Sequence, residues 1–306
     1  MKKRVITSLI LTAALAFGAL TGCGSKADSQ SSETAATGEE TQTEAETDSA
    51  SDSDKTITVG ATPVPHAEIL DNIVKEVLAK DGWTLETVVF QDYVLPNTSL
   101  ESGDIDANYF QTLGYLDQQN KDAGLHLTAV AGIHIEPMGI YSQKYTKLDE
   151  IPDGAEIGIP NDPDNAARAL DLLVQKGLLT SKGSYGEGSY TEDSLSKDKD
   201  ANPHGFKITL LEAANLPLSL PDLDAAVING NYALEAELPS KYPALDIEEF
   251  DDETTIKRTN FLVVKDGSQD SEKIKALVAA LKSDEVKKYI EETYKGAVIP
   301  SFVDPQ

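Results

Sequence analysis

Residues Ile159–Leu173 read IPNDPDNAARALDLL, and three local signals meet in this stretch. Ile157-Gly158-Ile159 is a short apolar run that reads as a buried strand. Asp162-Pro163 favours a turn. Ala169, Leu170, Leu172 and Leu173 then recur at the spacing of one buried helix face. The pattern predicts a helix over Asn165–Lys176, with Asn165 able to cap it. Strand, turn and helix in that order are the unit of an α/β fold. Arg168 falls in the first turn of this helix, in a chain whose formal net charge is −26. Backbone N–H groups at a helix start attract anions, and a guanidinium matches a carboxylate through paired hydrogen bonds. From the residues alone two roles stay open for Arg168: a contact to an anionic ligand, or a structural pairing with a nearby Asp.

The same grammar extends outward. Thr56–Ala61 reads as a buried strand. Ile69, Leu70, Ile73, Val74, Val77 and Leu78 mark a helix that Asp81-Gly82 stops. Thr84–Phe90 and Leu127–Ile133 read as strands, with short helical stretches beginning at Leu100 and Tyr115. Thr180–Gly205 is rich in Gly, Ser and Asp and reads as a surface excursion. Lys207–Leu211, Ala225–Ile228 and Thr259–Val264 are further strands. Two helices close the chain, Ser271–Leu281 and one from the cap Ser283 to about Tyr294. Strands alternating with helices predict α/β sheets covered by helices.

The beginning of the chain has a different character. Lys2, Lys3 and Arg4 precede an uncharged run, Val5–Leu20, which ends in Thr21-Gly22-Cys23. This is the layout of a secretory signal peptide over residues 1–22. Small residues before a cysteine match the bacterial lipobox, in which Cys23 becomes lipidated, and Cys23 is the single cysteine of the chain. Residues 23–54 are acidic and lack Val, Ile, Leu and aromatic residues. A segment of this composition cannot bury enough apolar surface to offset chain entropy, so it reads as a disordered tether. About 250 residues remain, enough for two lobes. The acidic balance argues against nucleic acid as a partner, because phosphate binding needs basic surface.

Few motifs point to catalysis. The four histidines, His66, His126, His134 and His204, include no pair at i, i+4, and neither a Gly-x-Ser-x-Gly elbow nor a P-loop occurs. Asp104, Asp106, Glu136 and Asp162 offer no metal-ligand spacing with a third group. An extracellular hydrolase using Asp104 and Asp106 would lack a nucleophile or a paired acid and base. A binding protein suits the residues better. Phe110 and Gln111 sit at a predicted strand end. Asn229, ending the strand Ala225–Ile228, can hold an amino group through its carbonyl oxygen and a carboxylate through its NH₂. Core packing for Phe110 and a turn role for Asn229 remain the plainer alternatives.

Six stretches, VVFQDYVLPN (Val88–Asn97), SGDIDANYFQ (Ser102–Gln111), EPMGIYS (Glu136–Ser142), IPNDPDNAARAL (Ile159–Leu170), EAANLPLSL (Glu212–Leu220) and AVINGNYA (Ala226–Ala233), occur in that order. Together they resemble the NlpA-type, MetQ-like methionine-binding lipoproteins over most of Thr56–Val298. The resemblance implies an α/β, two-lobed periplasmic-binding-protein fold (type II-like) with a ligand cleft between the lobes. Lobe 1 is expected over residues 55–138, lobe 2 over 139–240, and a return to lobe 1 over 241–306. It implies a non-enzymatic lipoprotein, lipid-anchored at the cell membrane through Cys23 and facing the extracytoplasmic side. Its ligand is expected to be L-methionine, delivered to an ABC permease and, through it, to an ATPase, with no cofactor or metal. By the same resemblance Tyr93 and Phe110 line the side-chain pocket, Arg168 binds the ligand carboxylate, and Asn229 and Asn260 contact the head group. Two positions depart from the family pattern. Thr112 stands where a histidine is common and Leu218 where an arginine is common, which leaves a methionyl dipeptide or another apolar amino acid open. An adhesin that has lost transport is the remaining alternative.

Overall fold

TNFLVV, at Thr259–Val264, has no polar residue beyond its first two positions, and its surroundings explain why. Leu262 and Val264 pack with Ile57, Val59 and Leu277, whereas Phe261 and Val263 pack with Leu100, Leu116 and Ala129 on the opposite face. Successive side chains of a strand point to opposite faces, so a strand covered on both sides is apolar throughout. AAVI at Ala225–Ile228 repeats the pattern. Ala225 and Val227 join one cluster and Ala226 and Ile228 another.

The computed structural model describes residues 55–180, 195 and 197–305, all within one compact unit, Asp52–Gln306. The expected signal peptide, Cys23 and tether lie outside the described residues, as does most of the excursion after Thr180. The strands are β1 (Thr56–Ala61), β2 (Thr84–Val89), β3 (Ala107–Thr112), β4 (Leu127–Ile135), β5 (Gly139–Tyr141), β6 (Glu156–Pro160), β7 (Lys207–Leu211), β8 (Ala225–Ile228), β9 (Asp246–Ile247), β10 (Thr259–Lys265) and β11 (Ile299–Pro300). They form a six-stranded sheet in the order β11-β4-β10-β3-β1-β2 and a five-stranded sheet in the order β7-β6-β8-β5-β9. In the first, β1 runs parallel to β2 and β3 while β10 is antiparallel to β3 and β4. In the second, β6 is parallel to β7 and β8, and β5 is antiparallel to β8 and β9.

The chain passes from one sheet to the other twice, through Glu136–Met138 after β4 and through 248–258 before β10. The return comes later than the sequence suggests. Asp246 pairs with Ile140 and Ile247 with Gly139, so the second sheet holds the chain past residue 240. The three-residue β5 and two-residue β9 are too short to show a period.

Helix starts also differ from expectation. The helix beginning near Leu100 in the sequence reading spans Leu95–Ser102, because Asp92 Oδ1 accepts the N–H groups of Val94 and Leu95 at 2.7 and 2.8 Å. Gly103 ends it at φ 85°, a left-handed conformation that suits glycine. The helix after β6 spans Pro163–Gln175, and its cap is Asp162, not Asn165; Asp162 Oδ1 accepts from the Asn165 N–H at 2.9 Å. Pro163 sits at the first helical position, where its missing N–H loses nothing. Arg168 therefore lies in the second turn.

Ile157 is fully buried in the second-sheet core. Ile157→Ala is expected to destabilise the protein by about 2–5 kcal/mol in a urea titration. A change below about 1 kcal/mol would mean that this cluster is not close-packed.

Candidate functional site

The carboxyl ends of β3, β6 and β8 point their following residues into one cleft. Phe110, Gln111, Thr112 and Tyr115 come from the end of β3 and the helix after it, with Tyr93 from a loop and Asn260 from β10. Asn165 and Arg168 come from the helix after β6, and Asn229, Gly230 and Asn231 follow β8, while Glu136 comes from the first crossover. The space between them is about 350 Å³, part of it open to solvent. Strand ends at the junction of two sheets are a common ligand location. All five residues singled out in the sequence, Tyr93, Phe110, Arg168, Asn229 and Asn260, line this cleft. Leu218, one of the two departures expected from the sequence, does not; it is 79% exposed on the short helix Leu216–Ser219. Thr112, the other expected departure, does line the cleft.

Arg168 is buried, and its fork is already engaged. Nε donates to both Glu248 oxygens at 3.1 Å, Nη2 donates to Glu248 Oε2 at 2.6 Å, and Nη2 also donates to the Glu136 carbonyl at 2.8 Å. The pairing partner that spacing suggested as an Asp is thus Glu248, eighty residues away in sequence. Although burial pushes the Glu248 carboxyl up, Arg168 and Arg258 bring it below the usual carboxylate range. The start of the Arg168 helix is not the anion site that its sequence suggested, because Asp162 occupies it. Nη1 takes no part in the Arg168 bonds.

Three buried side-chain atoms among the described residues have no hydrogen-bond partner, Asp164 Oδ2, Asn229 Oδ1 and Asn231 Nδ2. Native proteins leave few such atoms, so each calls for a cause. Two belong to cleft residues. Asn229 Nδ2 donates to Asn165 Oδ1 at 2.7 Å, which leaves its carbonyl oxygen as a bare acceptor. Asn231 Oδ1 accepts from the Tyr93 hydroxyl at 2.6 Å, which leaves its NH₂ as a bare donor. The cleft thus presents a neutral acceptor and a neutral donor beside a guanidinium.

Aromatic rings close one end. Tyr93 lies 5.7 Å from Phe110, 5.6 Å from Tyr115 and 4.9 Å from Tyr232, centroid to centroid. These are favourable aromatic separations, and they build a wall suited to an apolar or thioether chain. Tyr109, next to Phe110, faces the other way into the first-sheet core, as alternation requires.

Behind the cleft lies a group that sequence spacing did not reveal. Glu136 Oε1 is 2.6 Å from His134 Nε2 and 3.1 Å from His66 Nε2, and all three side chains are buried. His66 Nδ1 bonds Thr62 Oγ1 at 2.8 Å, and His134 Nδ1 bonds the Tyr109 hydroxyl. His66 Nε2 is also 3.3 Å from Asn260 Oδ1. The three residues are close enough to share a metal ion, yet their facing atoms already satisfy one another as hydrogen bonds. His134-Ile135-Glu136, two apart at a strand end, was the available sign that these two side chains share a face. Burial pushes the His66 imidazole down to about 4, against the pull of Glu136, and pushes His134 down to about 3. Burial pushes the Glu136 carboxyl up, against His66 and Arg168. Asp104 and Asp106 are structural. Asp104 accepts from Ser102 Oγ and Asp106 from the Thr58 N–H.

Both rings are therefore neutral at pH 7. The unfolded imidazoles take up protons below about pH 6.5, and the folded ones do not until about pH 4 and 3. Their contribution to stability is present above about pH 6.5 and is lost as pH falls towards those values. Imidazole ¹⁵N spectra should show His66 and His134 as neutral rings from pH 7 to about pH 5. A titration of either ring near 6.5 would contradict its desolvated state.

The chain matches a family model described as NlpA lipoprotein over residues 57–302. It is 34% identical to the methionine-binding lipoprotein MetQ of Bacillus subtilis over 303 residues, covering 98% of this chain and 99% of that one. Among solved structures it resembles a putative lipoprotein from Ruminococcus gnavus (TM-score 0.75, 47% identity), covering 81% of this chain and 99% of that one. It also resembles a nutrient-binding protein from Burkholderia cenocepacia bound to methionine (TM-score 0.73, 38% identity), covering 80% of this chain and all of that one. The fold is that of these proteins, which are named as lipoproteins or as binding proteins. With its match running from the first strand to the last, this chain belongs to the NlpA lipoprotein family.

Proposed function

We propose that the protein is the extracytoplasmic substrate-binding lipoprotein of an ABC importer, capturing an α-amino acid, L-methionine foremost, and delivering it to the permease and its ATPase. One observation carries the reading: a bare acceptor and a bare donor, Asn229 Oδ1 and Asn231 Nδ2, stand in a cleft that Arg168 also lines. A zwitterion satisfies all three. Its carboxylate takes Arg168 Nη1 and Asn231 Nδ2, and its ammonium takes Asn229 Oδ1. Its side chain meets Tyr93 and Phe110, and Asn260 closes the head-group end.

The methionine named for a relative and seen in a neighbouring structure favours a thioether side chain. Thr112, smaller than the histidine common in the family, keeps a methionyl dipeptide or another apolar amino acid as the second reading. The two sheet units act as lobes that close over the ligand by flexing at Glu136–Met138 and 248–258. Ligand shifts that equilibrium only by its differential affinity for the closed form. Lipid on Cys23 holds the protein at the membrane, since two or more chains anchor firmly, and residues 24–54 act as the tether.

Arg168→Ala is expected to weaken L-methionine by about 2–5 kcal/mol in calorimetry, because a desolvated carboxylate loses its charged partner. That variant also leaves Glu248 buried without its fork, so its folding must be checked by circular dichroism. Asn231→Ala, which leaves Glu248 paired, should lose about 0.5–1.5 kcal/mol. Wild-type affinity in both folded variants would overturn the assignment.

A further inference from the structure

We infer that Glu136 is the counter-ion of the ligand's α-ammonium, held in place by His66 and His134, so that the site accepts only ligands with a free, unacylated amino group; this rests on the amino-acid reading above. Charge is the starting point. An ammonium removed from water into a closed cleft needs an anion as well as hydrogen-bond acceptors. Asn229 Oδ1 supplies an acceptor without charge. Glu248 is committed to Arg168 and lies 3.2 Å from Arg258 Nε. Asp162 is committed to the Asn165 cap. Among the cleft-lining residues Glu136 is the one carboxylate and Arg168 the one cation.

The surroundings of Glu136 orient it without cancelling it. The Tyr109 and Thr62 hydroxyls bond the Nδ1 atoms of His134 and His66, which leaves each Nε2 as the donor towards Oε1. A lysine or arginine in their place would fix the carboxylate equally well but neutralise it. Two imidazole donors hold Oε1 and the Asn231 backbone N–H also bonds the carboxylate; all three donors are uncharged and preserve the charge for the ligand. The second oxygen lies beside Gly230. A Cβ on Gly230 would stand 3.3 Å from Oε2 and only 2.7 Å from the Glu136 Cβ, so glycine lets the backbone after β8 approach the Glu136 side chain this closely. Asn229 precedes Gly230, and its bare acceptor belongs to the same cleft that Glu136 lines. The Glu136 carbonyl meanwhile accepts from Arg168 Nη2 at 2.8 Å. One residue thus touches the arginine assigned to the acid end and presents its own carboxylate to the amine end. An acyl group on the nitrogen would remove the positive charge and add bulk against Gly230.

The test measures affinities of the full chain for L-methionine, N-acetyl-L-methionine and 4-(methylsulfanyl)butanoic acid, which lacks the amine, on wild type and Glu136→Gln. Wild type is expected to bind L-methionine at least about 30-fold more tightly than either analogue. Glu136→Gln keeps an acceptor for the two imidazoles, and it is expected to lose about 30-fold or more for L-methionine while changing the amine-free acid by less than about threefold. Equal losses for both ligands would make Glu136 a scaffold for Arg168 and overturn the inference. So would wild type binding the amine-free acid within about threefold of L-methionine, a measurement that stands even if the variant does not fold. Wild type with no affinity for L-methionine would instead overturn the amino-acid reading itself, and the inference with it.

Discussion

The Arg168–Glu248 pair ties together the three segments on which the cleft depends. Arg168 rises from the helix after β6, Glu248 lies in the return crossover, and the Glu136 carbonyl that Arg168 also contacts lies in the outward crossover. The crossovers are joined to each other as well, since the Glu248 N–H donates to the Met138 carbonyl at 2.9 Å and Met138 N–H lies 3.3 Å from Glu248 Oε2. A buried ion pair adds little net stability compared with apolar packing, yet losing one partner is strongly unfavourable because the other charge is stranded. Its effect is to fix where the two crossovers lie relative to the helix. An arginine held in this way is oriented before any ligand arrives, and pre-organisation is what limits the entropic cost of binding.

The second polar group follows the same logic with the opposite electrostatics. Around Glu136 the donors are neutral imidazoles, themselves oriented by hydroxyls from β3 and from the turn after β1. In the Arg168 cluster charge meets charge, and in the Glu136 cluster a buried carboxyl meets uncharged donors. Both depend on low exposure, since water would screen the interactions and satisfy the bare amide atoms of Asn229 and Asn231. The apolar end, built by Tyr93, Phe110 and Tyr115, is set by ring packing and by two hydroxyl bonds, Tyr93 to Asn231 Oδ1 and Tyr115 to the Tyr93 carbonyl.

Much of this could be read from the chain. The strand β6, the turn at Asp162-Pro163 and the amphipathic helix beyond it are local events, and their periodicities are visible in fifteen residues. β8 and β10 read as strands from their apolar runs, Ala225–Ile228 and Phe261–Val264, and both are covered on two faces. Arg168 and Asn229 were singled out as polar residues at element ends, and the recurring stretches that resemble the family gave them roles. Helix starts were misjudged where a side chain outside the helix decided them, as Asp92 and Asp162 do.

Local sequence thus determined which segments are strands and helices, that two layered sheets would form, and which element ends carry polar groups, because those depend on neighbours within a few residues. Only the tertiary structure decided that Arg168 gives its fork to Glu248, that His66 and His134 converge on Glu136, and that the amides of Asn229 and Asn231 each keep one unpartnered atom. Apart from His134 and Glu136, which are neighbours on one strand end, those facts depend on side chains dozens to about two hundred residues apart brought within hydrogen-bond distance. No periodicity encodes such a meeting, because it is set by how the two sheets are joined at their crossovers and not by any stretch of chain on its own.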